Sequence, residues 1–458
     1  VLPVKAAQQW TNWSGIVACT PAQVVYPTSV EEVVSLVQWC NTTGHRLRVV
    51  GSGHSFTPLV QTDDVLVSLD RMSGLVEVDT AARTAVVWAG TKLKRLGELL
   101  HRHGLAQENL GDINVQSIAG AISTGTHGTG TAFGTLATQV IGLKVVLGNG
   151  TVMDCSEEEH PELFKAMQVS FGALGVIVQV KLRLVPSFRL KYVTGRMKLD
   201  DCLRSLDTLC QQNRHFEFYC FPYSDTVQVK FMNETHEPVT QRGWKDYWNK
   251  IVMENRLFWV LSEACRLVPA LTKPVSRLSA ASVPVFEEVA YSHELFATPR
   301  LVRFNEMEYN IPAAHMAEVI QEVLACIERE RIAVHFPIEC RFVRADDIWL
   351  SPASGRESGY VAIHMYRGMP HERYFRTVEQ IFLRCGGRPH WGKLHYRTAE
   401  DFQQMYPMWD EFRRVRLAAD PNGVLQNDYL AVLFGGRLDA SGDPNAKAAQ
   451  TAATFERE

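Results

Sequence analysis

An α+β fold of more than one domain is what the sequence predicts, and three observations predict it. A chain of 458 residues exceeds what one small core accommodates. Short β-branched runs alternate with helical periods through the first third, and this rhythm changes after Pro186. The composition, 46% hydrophobic and 21% charged, is that of a globular protein with ample core. Lys+Arg 47 against Asp+Glu 50 leaves no whole-molecule field to draw the chain to nucleic acid or an anionic membrane.

The elements follow in order. Val24-Val25-Tyr26 predicts a strand, Ser29 with Glu32 a capping box opening a helix over 33–40, and 47–50 a second strand. Strands are predicted at 65–69, 75–78 and 84–88, then a helix over 93–103 stopped by Gly104. Asn149-Gly150 predicts a hairpin. A helix over 161–167 leads through Gly172 and Gly175 into a strand over 176–185. Beyond Pro186 a second domain is expected, irregular near 232–300 except for one apolar helix, then strand, helix (313–328) and strands again. The expected division is 1–186, 187–415, a segment 416–436 that packs back on the first domain, and a disordered tail, 437–458, poor in large apolar side chains.

Ten cysteines lack the paired spacing of zinc sites or redox dithiols, so no metal site is predicted and the thiols read as reduced and mostly buried, suiting a cytoplasmic protein. The most apolar window, 257–271, is interrupted by Glu263 and Arg266 and is shorter than the roughly 20 residues a spanning helix needs. It predicts a buried or surface-docking helix, with peripheral membrane contact as the lesser alternative.

Three constellations carry chemistry. Val50-Gly51-Ser52-Gly53-His54-Ser55-Phe56 follows a buried strand, and its glycines leave N–H groups open to phosphate oxygens, although the same glycines suit a tight surface turn. No G-x-G-x-x-G helix opening or phosphate-loop Lys-Ser/Thr occurs. A second loop, Gly125-Thr126-His127-Gly128-Thr129-Gly130, could join the first around a long diphosphate ligand. Glu339 and Arg341 alternate on one strand face, as a structural ion pair or as a polar site. His364 lies in another predicted strand and Lys393 follows His390-Trp391-Gly392; a core histidine and a solvated lysine are the plainer readings. The motifs G-x-S-x-G and H-E-x-x-H, which hydrolases of the serine and metal classes need, are absent.

Together these motifs, with Pro161-Glu162-Leu163-Phe164, Gly172-Ala173-Leu174-Gly175-Val176-Ile177, Gly387 to Lys393 and Asp420-Pro421-Asn422-Gly423, resemble the aldonolactone oxidoreductase branch of the vanillyl-alcohol-oxidase-type flavoproteins. The resemblance runs from about Trp10 to about Phe434, lies close to the L-gulonolactone oxidases and extends to bacterial alditol oxidases. It implies a two-subdomain PCMH-type FAD-binding domain of two mixed sheets, then a substrate domain with a large antiparallel sheet covered by helices. It implies FAD bonded covalently to His54, with Val50, Gly51, Ser52, Gly53, Ser55 and Phe56 on one side of the cofactor. Asp112, Ser117, Gly120, Thr124, Gly125, His127 and Gly128 would line the other, and Val176 the adenine or diphosphate end.

The implied reaction is oxidation of a small sugar-derived substrate, an L-gulono-, L-galactono- or D-arabinono-1,4-lactone, by hydride transfer from C2 to flavin N5, with O2 reduced to H2O2. Alditol oxidation at C1 and a dehydrogenase using another acceptor are the alternatives. Glu339, Arg341 and Lys393 would face the flavin, their combined cationic charge favouring an alkoxide-like transition state. His364 matches a histidine of the alditol oxidases that accepts the hydroxyl proton, where gulonolactone oxidases carry an apolar residue. Met365-Tyr366-Arg367 and Met405-Tyr406-Pro407 are closer to the lactone enzymes. Gly111 aligns with a gate whose methyl side chain, in related dehydrogenases, keeps oxygen out. A monomer or small homo-oligomer is expected.

Overall fold

The computed structural model describes residues 4–6, 8–241, 244–297 and 302–434. The predicted tail, 437–458, lies outside them.

Three sheets organise the chain. In the first, Val4–Ala6, Gln23–Val25, Val65–Ser68 and Leu47–Val50 lie in that order, the last three parallel and the first antiparallel. The helix Val30–Thr43 crosses between its strands; Ser29 Oγ accepts from Glu32 N, as its sequence predicts. Glu32 itself reaches back to Thr28 rather than to Ser29. Val152–Cys155, Val140–Leu147, Gly175–Arg183, Thr84–Trp88 and Leu75–Asp79 form the second sheet. That sheet is antiparallel throughout, not mixed: a hairpin forms each edge pair, Val140–Leu147 with Val152–Cys155 and Leu75–Asp79 with Thr84–Trp88, and Gly175–Arg183 runs antiparallel to both of its neighbours between them. One core fills the space between these two sheets and their helices.

The third sheet has eight antiparallel strands, from Phe286–Tyr291 at one edge to Arg388–Pro389 at the other. Successive residues of a strand point to opposite faces, and here both faces are buried. Met307, Tyr309, Ile338, Cys340, Val361 and Ile363 pack under the helices Met316–Arg329 and Glu372–Arg384, forming a second core. The alternate set, Glu306, Glu308, Glu339, Arg341 and His364, is polar and faces the first domain. After Pro389 the chain leaves this sheet, and Trp391, Phe402, Trp409, Phe412 and Phe434 join the first core.

Residues 232–300, read as mostly irregular, instead carry the helices Trp244–Leu267 and Thr272–Ala281 and the edge strand Phe286–Tyr291. The long helix turns Phe258, Leu261, Ser262 and Cys265 inward and leaves Leu257, Trp259 and Val260 exposed, so its apolar residues do not trace the single stripe that periodicity detects. Among the described residues no helix is long and apolar enough to cross a membrane. All ten cysteines are free, and eight are buried.

Candidate functional site

Two cavities meet at one loop. The first is a trench between the two N-terminal sheets, lined by residues 49–55, by Ser117, Gly120 and Thr124, and by Phe171, Gly172, Gly175, Val176 and Ile177. Its walls are thin for a physical reason. A Cβ on Gly51 would stand 2.6 Å from Ser117 Oγ, and one on Gly90 would stand 1.9 Å from the carbonyl oxygen of Leu69. A side chain at Gly51 would crowd Ser117 in the trench wall, and one at Gly90 would collide with the backbone packed behind it. Ser117 caps the helix Ile118–Ser123, accepting from Gly120 N. Lys92 donates to Ser52 Oγ at 2.9 Å and pairs with Asp70 at 2.8 Å, bringing a cation to the glycine loop.

The second cavity lies between that loop and the eight-stranded sheet, lined by Trp13, His54, Phe56, Gly111, Asp112, His127, Phe304 and the polar sheet face. His54, Ser55 and Gln116 line both cavities. The ring of Trp13 stacks on His54 with centroids 5.7 Å apart. Burial, and then the ammonium groups of Lys393 and Lys92, push the His54 imidazole down to about 4. It is therefore neutral near pH 7, with a nitrogen lone pair available for bonding.

Strand register builds the polar face. His364 stands opposite Glu306, while Ala362 stands between Glu308 and Glu339, its methyl leaving room for both carboxylates. Arg341 is enclosed by carboxylates: it pairs with Glu339, with Glu217 at 2.8 Å and with Asp112 at 3.3 Å. Burial alone would lower the Arg341 guanidinium, but Glu339, Asp112 and Glu217 outweigh it and raise it well above its ordinary value. Tyr219 donates to Glu339 at 2.7 Å. Lys393 pairs with Glu306. His127 pairs with Glu308 at 2.8 Å, which holds that carboxyl well below the usual range against the opposing effect of burial. His364 Nδ1 lies 3.0 Å from the carbonyl oxygen of Pro337. A carbonyl only accepts, so Nδ1 carries the proton and Nε2 is left to face the cavity.

Glu339, Arg341, His364, Lys393 and Gly111 thus converge with His54, Phe56, Asp112 and His127 on one chamber, and Val50, Gly51, Ser52, Gly53, Ser117, Gly120, Thr124 and Val176 converge on the trench. Gly125 and Gly128 line neither of these two cavities. A Cβ on Gly128 would stand 2.2 Å from the carbonyl oxygen of Leu110, so this glycine serves close backbone packing behind the site. In the chamber Glu306, Glu308, Glu339, Asp112 and Glu217 offset the two cations Arg341 and Lys393. Sequence reasoning missed Trp13, Glu217, Glu306 and Glu308. The alternation Phe304-Asn305-Glu306-Met307-Glu308-Tyr309 carries the same signal as Glu339 and Arg341. A wider groove over the five-stranded sheet, lined by Lys144, Asp154, Glu157, Lys165 and Arg183, is shallow and mixed in sign, and none of its residues faces the polar chamber.

Comparison with known proteins agrees with this geometry. Residues 180–433 match the family described as D-arabinono-1,4-lactone oxidase, and residues 21–156 match an FAD binding domain family. The chain is 40% identical over 430 residues to the L-gulono-1,4-lactone dehydrogenase of Mycobacterium tuberculosis, covering 93% of this chain and 99% of the relative. It is 34% identical over 436 residues to the L-gulonolactone oxidase of Bos taurus, covering 93% and 98%. The D-arabinono-1,4-lactone oxidase of Kluyveromyces lactis is 32% identical over 508 residues, with 93% and 96% covered. Among solved structures, the cholesterol oxidase of B. sterolicum superposes with a TM-score of 0.78 at 16% identity, covering 94% and 97%, a likeness of fold alone.

Proposed function

The chain belongs to the D-arabinono-1,4-lactone oxidase family, and from that premise we propose that it oxidises the C2 hydroxyl of an aldono-1,4-lactone, with FAD tethered to His54 and molecular oxygen as the final acceptor. The observation that carries the reading is the position of His54. It is the imidazole at which a glycine-walled trench opens into a polar chamber.

The trench residues fit an FAD. Gly51, Gly53 and Gly120 present backbone to a diphosphate, and Ser52 and Lys92 bring donors to the same turn. When bound, FAD supplies the two-electron acceptor and the means of passing those electrons to oxygen.

The protein's own groups account for the rest. Lys393 and Arg341 are donors that can hold the lactone hydroxyl oxygen while their carboxylate partners keep them rigid. His364 Nε2 takes the hydroxyl proton. Trp13, Phe56 and Phe304 form an aromatic wall that excludes water from the chamber. Gly111 lines the chamber without a side chain of its own, which adds no bulk between the chamber and incoming oxygen; a methyl group there would crowd the carbonyl oxygen of His127 at 3.1 Å and Thr126 Cγ2 at 3.4 Å.

Two measurements test the reading. Acid-precipitated protein should stay yellow, and His54→Ala protein should precipitate colourless; bare polypeptide mass in the wild type would refute the tether. A peroxide-coupled screen should respond to lactones and not to alditols. A dehydrogenase is the second reading, favoured by the name of the mycobacterial relative; substrate-dependent dye reduction without peroxide would establish it instead.

A further inference from the structure

Glu306 enters the function proposed above only as the partner of Lys393, although it is buried in the chamber beside His364 as well. It stands directly opposite His364 in the antiparallel register. Its Oε1 lies 3.5 Å from His364 Nε2, and its Oε2 holds the Lys393 ammonium. One carboxylate therefore touches both the base and the cation. We propose that Glu306 is a positioning residue for the oxidation, stabilising the imidazolium that forms on His364 while keeping Lys393 aimed at the substrate oxygen. The inference rests on the reading of His364 as the base.

The substrate O–H bond breaks and its proton forms an N–H bond at His364 Nε2. The C–H bond breaks with its electron pair, which leaves as hydride to the bound FAD, and the carbinol carbon becomes a carbonyl. Hydride and proton are both consumed when O2 becomes H2O2, which returns His364 to its neutral form. In between, a cation has formed in a buried chamber, where an unpaired charge is strongly disfavoured.

Other charges face His364, from its neighbouring strand Glu339 and Arg341, from the loop Lys393 and His390, and from the first domain Asp112 and His127. Arg341 and Tyr219 occupy Glu339, and His127 occupies Glu308. Glu306 lies within reach of Nε2. Burial alone would raise its carboxyl, but Lys393 and then His364 outweigh burial and bring it to about 2, so it remains an anion throughout the working range.

The test is the rate of substrate-driven flavin bleaching in anaerobic holoenzyme between about pH 5 and pH 9, for wild type, E306Q, E306D, H364A and the H364A/E306Q pair. Removing an anion beside an imidazole disfavours its protonated form. E306Q should bleach roughly tenfold or more slowly near neutrality, with its acid limb moved to lower pH by about half a unit or more. E306D should move the limb in the same direction by less, and E306Q should add nothing further once His364 is gone. An acid limb of E306Q or E306D that coincides with wild type, whatever the rate, overturns the proposal. Should E306Q fail to incorporate its flavin, E306D carries the test alone. The underlying reading fails separately, if H364A bleaches with the wild-type rate and limb.

Discussion

At the scale of single residues, the chamber is governed by what a methyl group or a proton would do there. Gly111 has no left-handed backbone requirement, so alanine is compatible with its conformation, and the cost of the methyl is local crowding against His127 and Thr126. Gly111→Ala should therefore fold and retain flavin. Its anaerobic bleaching by lactone should stay within about twofold of wild type, while reoxidation by oxygen slows by about tenfold or more. Stopped-flow mixing of the reduced protein with oxygenated buffer measures the second rate, and an unchanged rate there would remove Gly111 from the oxygen path. His54 illustrates the same economy of means. Its neutrality comes first from burial and then from two nearby ammonium groups, so a nucleophilic imidazole is obtained without a dedicated base.

At the scale of elements, the trench is held together by an arginine whose hydrogen bonds, among the described residues, go to backbone carbonyls. Arg48 is buried in the strand Leu47–Val50 and donates to the carbonyl oxygens of Leu59, Phe171, Gly172 and Leu425, at 2.7, 2.8, 2.9 and 2.6 Å. Burial lowers its guanidinium to about 9, with Asp420 opposing that effect. Three of these four residues border the trench, and the fourth belongs to the C-terminal segment that returns to the first core. Lysine cannot reproduce a planar fork with five donors. Arg48→Lys should cost about 3 kcal/mol or more in urea unfolding and loosen FAD in a His54→Ala background; a cost below about 1 kcal/mol would mean that the carbonyls find other donors. Legibility in sequence follows the same division. Strands such as Thr84–Trp88 and Gly175–Arg183, and the helix Leu93–Arg102, were readable because their periodicity, caps and turn glycines agree. The helix Trp244–Leu267 was readable only in part, since its exposed Leu257, Trp259 and Val260 blur the period. Glycine content could not separate Gly51, which clears the trench, from Gly128, which clears a neighbouring carbonyl. Glu306 and Glu308 were hidden for a different reason. In sequence they resemble the wet face of an amphipathic strand, and only the packing of the first domain against the sheet buries them.

At the scale of the whole molecule, a polar chamber closed between two apolar cores makes the protein dependent on buried histidines. Burial pushes His215 and His335 down to about 4 and His390 and His395 to about 3. In the unfolded chain each would titrate near 6.5. Below that value the unfolded state takes up protons that the native state refuses, so stability falls as pH drops from about 6.5 toward 4. Asp346 opposes this. Burial raises its carboxyl to about 6, so it binds a proton in the native state first and adds stability over the same interval. With His54 set aside as the proposed flavin tether, these four histidines against Asp346 leave a net difference near three protons, or at most about 4 kcal/mol per pH unit. Below the ordinary carboxylate range, Glu306 and Glu308 act in the same direction as the histidines, since their folded values are depressed. Urea midpoints of the holoprotein should therefore be level from about pH 8 to 7 and fall steeply between about pH 6.5 and 5. Added salt should not restore them, because screening acts on surface repulsion and leaves the protonation of imidazoles released from a core untouched. A midpoint that holds to pH 5, or one that salt rescues, would place the acid sensitivity at the surface rather than in the packing that builds the site.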